Sequence, residues 1–155
     1  MEDVYESPKS NIEAENDVDK RPILVWIIFI FACIGTLGIA SHFLMVSGVF
    51  PMDDVTANYY ANLTILDNVL VVVGMVIGFV AALQLFRLKK NALHLMLVQL
   101  VLNVLFTIYN LNNSNYREFM EAINANIYLA IVPGAIFMVL YVGYTFYLYR
   151  RGTLK

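Results

Sequence analysis

The sequence has 155 residues, of which 60% are hydrophobic and 14% are charged. Globular proteins carry about 25% charged residues, and a soluble domain of this length has too little interior to bury so much apolar surface. The composition therefore excludes an ordinary soluble domain and indicates a chain that lies largely in lipid. The net charge of −2 says little by itself, because most acidic residues stand in the first 19 positions and the basic residues lie elsewhere.

The first 21 residues are polar and charged and have no helical or strand period, so we expect residues 1–21 to form a disordered acidic tail on the cytoplasmic side. Within it, residues 5–10 read Tyr-Glu-Ser-Pro-Lys-Ser, preceded by Val4. This segment resembles the short Tyr-x-x-Pro-Lys tail of small, uncharacterised multi-pass inner-membrane proteins of Proteobacteria, which often have Asn in place of Val4. The resemblance implies a bacterial inner-membrane protein and supplies no activity. The tail serves either as a tether or as a docking peptide for a cytoplasmic partner.

Four apolar runs follow the tail, and we predict transmembrane helices at about 22–48, 65–87, 91–110 and 126–149. Each is long enough to cross a bilayer, because about 20 residues at 1.5 Å each span a hydrocarbon core of about 30 Å. A short basic turn folds the two middle runs back on each other. Residues 22–155 are therefore predicted to form an all-α membrane protein, an antiparallel four-helix transmembrane bundle.

Small residues recur at four-residue spacing on the first two predicted spans. The first span carries Ala32, Thr36 and Ala40, and the second carries Gly74, Gly78 and Ala82. Such stripes let a neighbouring backbone approach closely, which matters where lipid removes the hydrophobic drive between helices. We predict that both faces are helix-packing surfaces, and that the helix packed there belongs either to the same chain or to a second copy.

Two patterns mark the segments between the spans. Thr64 and Asp67 have the spacing of a capping box just before the second span, so Asp67 is expected to cap that helix. An ion-binding carboxylate at the membrane edge is the alternative. Residues 116–123 place their apolar side chains on one side of a helical turn, which predicts a short amphipathic helix lying on the membrane.

The third span differs from the others because it carries a polar stripe of Gln99, Asn103, Thr107 and Asn110. Amide side chains in hydrocarbon need partners, so this stripe is predicted to face the interior of the bundle. It either joins helices through interhelical hydrogen bonds, each contributing about 0.6–2 kcal/mol, or lines a hydrated path for a substrate.

The fourth span contains Pro133 and Gly134 about a third of the way along. Proline removes one backbone hydrogen bond and clashes with the preceding turn, so these two residues are predicted to form a kink that can act as a hinge.

The basic residues predict the orientation. In a four-span topology nine of the ten Lys and Arg residues lie on one side and Arg117 alone lies on the other. Basic loops favour the cytoplasmic side, so both termini are predicted to be cytoplasmic.

No span carries paired carboxylates, an activated serine or a Cys-His pair, so we expect no enzymatic activity, no cofactor and no metal site. The leading hypothesis is a structural or accessory component that packs with itself or with a larger membrane complex. A minor transporter or channel subunit, with its path along the third span, is the alternative, and a sensor of a cytoplasmic partner is a third. The expected surroundings are the lipid bilayer of the bacterial inner membrane, with no nucleic acid as a partner.

Overall fold

The computed structural model describes residues 21–155. Within them it contains six helices and no strand: α1 (Ile23–Val46), α2 (Asp54–Ala61), α3 (Ile65–Phe86), α4 (Asn91–Asn112), α5 (Ser114–Ala122) and α6 (Ile127–Arg150). The four long helices, α1, α3, α4 and α6, are long and apolar enough to cross a membrane. The predicted all-α class with four membrane-spanning helices is therefore confirmed, and the bounds of these helices lie within two residues of the predicted ones. The predicted tail lies outside the described residues, apart from Arg21.

The four long helices form a curved row in the order α1, α3, α4, α6. Each packs extensively on the next, whereas within residues 21–155 the two edge helices, α1 and α6, make no comparable contact with each other. Both edge helices nevertheless border the same cavity, so the row bends around it and leaves a gap between them. Lipid solvates apolar helix faces as well as another helix does, so no hydrophobic drive closes this gap.

Local capping explains where two of the helices begin. At the start of α3, the Thr64 hydroxyl accepts a hydrogen bond from the Asp67 backbone N–H at 3.2 Å, and Asp67 Oδ2 accepts one from the Thr64 backbone N–H at 2.7 Å. The predicted capping box is therefore confirmed. The short helix α2 was not predicted from the sequence. It begins where Asp53 accepts a hydrogen bond from the Thr56 backbone N–H at 2.8 Å.

The tightest packing lies at the end of the row that carries the basic residues. Its buried side chains are Val25, Ile28, Ala81, Ala82, Leu85, Leu88, Ala92, Met96, Leu148 and Leu154. The residues after α6 fold back onto the α3–α4 turn, where the Lys155 N–H donates to the Leu88 carbonyl at 2.7 Å and the Lys90 N–H donates to the Lys155 carbonyl at 3.0 Å. The Arg21 guanidinium donates to the Phe86 carbonyl at 2.9 Å. These contacts hold the start of α1, the α3–α4 turn and the end of α6 together at one end of the molecule.

The two short helices pack on each other at the opposite end. The Tyr59 ring of α2 stacks on the Phe119 ring of α5 with centroids 4.4 Å apart, and the Asn115 side-chain amide donates to the Tyr59 carbonyl at 3.2 Å. Helix α5 covers most of the predicted amphipathic segment. Its aromatic side chain Phe119, however, contacts α2 instead of facing outward as a surface-lying helix would require, because α2 offers it a matching aromatic partner.

Candidate functional site

The four long helices border one cavity of about 360 Å³. Its lining residues on α1 and α3 are Ile28, Phe31, Ala32, Gly35, Thr36, Gly74, Met75, Gly78, Phe79 and Ala82, and those on α4 and α6 are Met96, Gln99, Phe137, Met138 and Tyr141. The cavity is partly open to the exterior, on the side where α1 and α6 make little contact with each other. Its wall is apolar, aromatic and rich in methionine, with no Asp, Glu, Lys, Arg or His among the described residues that form it.

The one unsatisfied polar atom of the cavity belongs to Gln99. Its side-chain oxygen Oε1 is buried and accepts no hydrogen bond from residues 21–155. A Cβ placed at Gly78 would lie 3.4 Å from Nε2 of Gln99, so the glycine on α3 leaves just enough room for this amide. An unpaired buried acceptor costs about 1–3 kcal/mol, and this oxygen has almost no surface open to the cavity.

A second cavity of about 170 Å³ adjoins the first between α3 and α4. Gly74, Met75 and Gln99 line both of them, and Asn103 lines only the smaller one. The polar stripe of α4 therefore enters the space between the helices at Gln99 and Asn103.

The predicted small-residue stripes face each other without the expected close packing. Gly74, Gly78 and Ala82 of α3 line the first cavity together with Ala32 and Thr36 of α1. No atom lies within 4 Å of a Cβ placed at Gly74, and the same is true at Gly35. Ala40, the last residue of the predicted α1 stripe, is exposed and lies outside the lining. The space beside Gly35 and Gly74 is thus open, although α1 packs on α3 at other positions, such as Gly38, where an added Cβ would lie 3.6 Å from the Met75 side chain.

The predicted hydrogen bonds of the polar stripe are not formed within the described residues. The structure records no side-chain hydrogen bond from Gln99, Asn103, Thr107 or Asn110 to any of residues 21–155. These side chains share one face of α4 as predicted, but the other residues that line the cavities beside Gln99 and Asn103 are mostly apolar. The spacing of these residues along α4 therefore predicted which face is polar, but not whether its side chains form hydrogen bonds.

Pro133 and Gly134, the predicted hinge, lie in the first half of α6, and both are exposed. Helix α6 is continuous through them. Proline has no N–H, so the Leu129 carbonyl one turn earlier receives no helical donor from Pro133. The first half of α6 is poorly covered by the rest of the described chain, with Leu129 74% and Phe137 54% exposed. The missing backbone hydrogen bond therefore lies in a part of α6 whose side chains are mostly exposed.

A polar cluster joins the start of α3 to the end of α4. Asp67, only 5% exposed, accepts a hydrogen bond from the Asn113 side chain at 3.2 Å in addition to those from Thr64. Beside it, Nε2 of His42 on α1 lies 2.9 Å from Oδ1 of Asn68. The sequence placed Asp67 at a helix start but carried no signal for Asn113, which is 46 residues away along the chain.

The two short helices, α2 and α5, partly bury the phenol of Tyr59. Burial, followed by the neighbouring Tyr60, raises the pKa of Tyr59 to about 12 from its ordinary value of 10. Tyr59, Asn58 and Asp54 line one wall of a cleft of about 310 Å³ between the two helices, and Asn115 and Glu118 line the other.

Comparison with known proteins finds no family model, no curated protein and no solved structure that matches this chain.

Proposed function

We propose that this chain is a non-enzymatic, multi-pass component of a bacterial inner membrane, which packs with a second copy of itself or with a larger membrane complex. The observation that carries the proposal is the gap between α1 and α6. Small residues of α1 and α3 lie behind that gap, where a transmembrane helix of a partner can approach the backbone closely.

The charge distribution supports an orientation with both ends of the chain in the cytoplasm. Arg21, the α3–α4 turn and Lys155 are held together by hydrogen bonds at one end of the molecule. All Lys and Arg residues in the described part of the chain except Arg117 belong to that end. Cytoplasmic loops carry the excess of basic residues in membrane proteins, so that end faces the cytoplasm. A reporter fused after Lys155 that is active only in the periplasm would refute this orientation.

The lining of the cavity supports a binding role over a catalytic one. Its hydroxyl groups are those of Thr36 and Tyr141, and the Thr36 hydroxyl already donates to the Ala32 carbonyl at 2.8 Å. No general base is placed beside either group among the lining residues, and nucleophilic catalysis needs such a base.

The test uses Gly35, which is exposed at the gap and whose added Cβ would meet no atom within 4 Å. Gly35→Leu fills the approach path without a clash at Cβ, so the isolated chain keeps its helix content. We expect the purified protein in mild detergent to form an assembly and the Gly35→Leu variant to lose it, as measured by native mass spectrometry and light scattering.

The matched control is Gly143→Leu on α6. Gly143 is also exposed and its added Cβ also meets no atom within 4 Å, but it lines a different cavity, of about 430 Å³, between α4 and α6 and away from the gap. This variant should assemble like the parent protein. The proposal would be contradicted if the parent protein is monomeric and co-purifies with no other membrane protein. It would also be contradicted if the Gly35→Leu variant assembles like the parent.

A transporter or channel subunit is the second candidate, and the meeting of the two cavities at Gln99 favours it. A path along Gln99 and Asn103 would run between α3 and α4. Ion and proton transport normally use an ionisable group inside the membrane, and the two linings hold no carboxylate, histidine, lysine or arginine. Loss of solute flux in Asn103→Leu at normal expression would reverse this ranking.

A further inference from the structure

We propose that the acidic tail, residues 1–20, lies across the basic end of its own chain and forms ion pairs with the exposed Arg and Lys side chains there. The tail directly precedes Arg21, which is held at that end by its hydrogen bond to the Phe86 carbonyl. This contact goes beyond the packing role proposed above, and it is the same whichever side of the membrane that end faces. The tail then covers a surface that anionic lipids or anionic partners would otherwise bind.

The basic end is a cationic surface that has no carboxylate side chain of residues 21–155 beside it. The carboxylates of the described residues lie in and just before α2, at the start of α3 and in α5, at the opposite end. The 22 residues of α3 separate the two groups by about 33 Å, whereas the Debye length at physiological salt is about 8 Å. A carboxylate that pairs with this surface must therefore come from outside the described residues. The exposed members of the basic end are Arg21, Arg87, Lys89, Lys90, Arg150 and Arg151.

Uncharged groups position two of the arginines at this end. The Arg21 guanidinium lies over the Phe86 ring, 4.6 Å from its centroid, and its Nε donates to the Phe86 carbonyl at 2.9 Å. The Arg151 guanidinium lies 5.0 Å from the centroid of the Tyr147 ring. An aromatic ring orients a guanidinium without neutralising its charge, and a carboxylate can accept two parallel hydrogen bonds from such a group. These arginines are therefore arranged to receive carboxylates.

The tail carries the complementary charge in a regular pattern. It has seven acidic and two basic side chains. Four of the acidic residues stand at every second position: Glu13, Glu15, Asp17 and Asp19. In an extended segment every second side chain points to the same side, so these four carboxylates can face one surface together. Ion pairs between exposed groups are individually weak, and four carboxylates on one segment reinforce each other.

The tail is long enough to cross the whole basic end. Asp19 lies two residues before Arg21, and Glu13 lies eight residues before it. At about 3.5 Å per extended residue, eight residues reach about 28 Å. Packed helices lie about 8–10 Å apart, so the row from α1 to α6 is at most about 30 Å wide. The four carboxylates can therefore extend from Arg21 past the α3–α4 turn to the end of α6.

Anionic lipid headgroups are the competing occupant of the basic end. Each lipid phosphate binds separately, whereas the four tail carboxylates share one tether, which raises their local concentration to about the millimolar range. An anionic leaflet also repels an acidic segment. The tail therefore gains most by lying on the basic end, and we assign the surface to the tail.

Zero-length carbodiimide crosslinking tests the contact, because it joins a carboxylate to a lysine amine only where the two groups touch. The full chain is placed in phosphatidylcholine nanodiscs at one chain per disc, so that every crosslink lies within one chain. We expect mass spectrometry to find amide bonds between the four alternating carboxylates and Lys89 or Lys90. Their yield should fall at least about fivefold between about 0.01 M and about 1 M salt, because the Debye length shortens from about 30 Å to about 3 Å.

Two variants separate ion pairing from simple tethering. The double variant Arg87→Gln with Arg151→Gln removes two cations from the basic end and keeps both reporter lysines. It should lower the crosslink yield about threefold or more, as expected for the loss of two exposed ion pairs. Arg117→Gln on α5, at the opposite end, is the matched control and should leave the yield unchanged. Circular dichroism verifies that each variant keeps its helix content.

The inference would be overturned if these crosslinks do not form, or if their yield is the same at low and high salt. A yield in the double arginine variant equal to that of the parent would also overturn it, because the tail would then be only a tether. Nanodiscs that contain phosphatidylglycerol decide between the two occupants: we expect the crosslinks to persist, and their loss would assign the basic end to lipid headgroups. Each disc holds one chain, so these outcomes are independent of the packing role.

Discussion

Replacing Asp67 with alanine removes the side chain that joins the start of α3 to the end of α4. Asp67 Oδ2 accepts hydrogen bonds from the Thr64 N–H at 2.7 Å and the Thr64 hydroxyl at 2.6 Å, and Oδ1 accepts one from the Asn113 amide at 3.2 Å. The residue is 5% exposed, so water cannot readily take over these contacts.

The loss can be calculated from those contacts. A hydrogen bond to a charged group contributes about 1.5–3 kcal/mol, and each of the two carboxylate oxygens loses at least one. We therefore expect Asp67→Ala to lower the free energy of unfolding by about 3–6 kcal/mol. Asp67→Asn keeps an acceptor oxygen but loses the charge, so its loss should be smaller, about 1–2 kcal/mol.

Denaturant titration in mild detergent measures these values through the fluorescence of Trp26, the single tryptophan. Its ring lies 4.7 Å from that of Phe86, so its emission reports the separation of α1 from α3 at the end opposite Asp67. Asp54→Ala is the control, because Asp54 is exposed in the first turn of α2 and should change stability by less than about 0.5 kcal/mol.

An Asp67→Ala variant as stable as the Asp54→Ala control would refute the capping role. If that variant also lost a cation-dependent increase in stability seen in the parent protein, Asp67 would instead be an ion-binding carboxylate.

Two further predictions follow from the opposite ends of the molecule. Leu154 is 1% exposed beneath the α3–α4 turn, so Leu154→Ala should lower the free energy of unfolding by about 2–5 kcal/mol in the same titration. Leu97→Ala, at a 43% exposed, lipid-facing position, should lower it far less. Equal losses in the two variants would show that the residues after α6 do not stabilise the fold. The pKa of Tyr59 is raised from 10 to about 12, so the neutral phenol is favoured in the folded state, and the stability it contributes is present below pH 10 and lost as the pH rises towards 12. Tyr59→Phe should remove that alkaline loss, measured by unfolding at a series of pH values alongside tyrosinate absorbance, and an unchanged pH profile would contradict the assignment.

Much of the local structure follows from neighbouring residues alone. Four apolar runs long enough to cross a bilayer predict four helices, because a backbone in hydrocarbon must satisfy its own hydrogen bonds. Thr64 and Asp67 predict the start of α3 because the capping contacts span only three residues. Helix α2 was missed, although Asp53 at a cap position and Thr56 three residues later carry its signal.

The amino-acid sequence by itself determined how many helices cross the membrane, where they begin and end, and which faces of α3 and α4 carry small or polar residues. Only the tertiary structure decided that α1 and α6 leave a gap between them, that the Gln99 side chain lies between the helices without a hydrogen-bond partner, and that Asn113 contacts Asp67. The reason is that lipid and protein solvate an apolar helix face almost equally well, so hydrophobic pattern does not select a neighbour. That selection comes from shape and from hydrogen bonds between residues far apart in the chain.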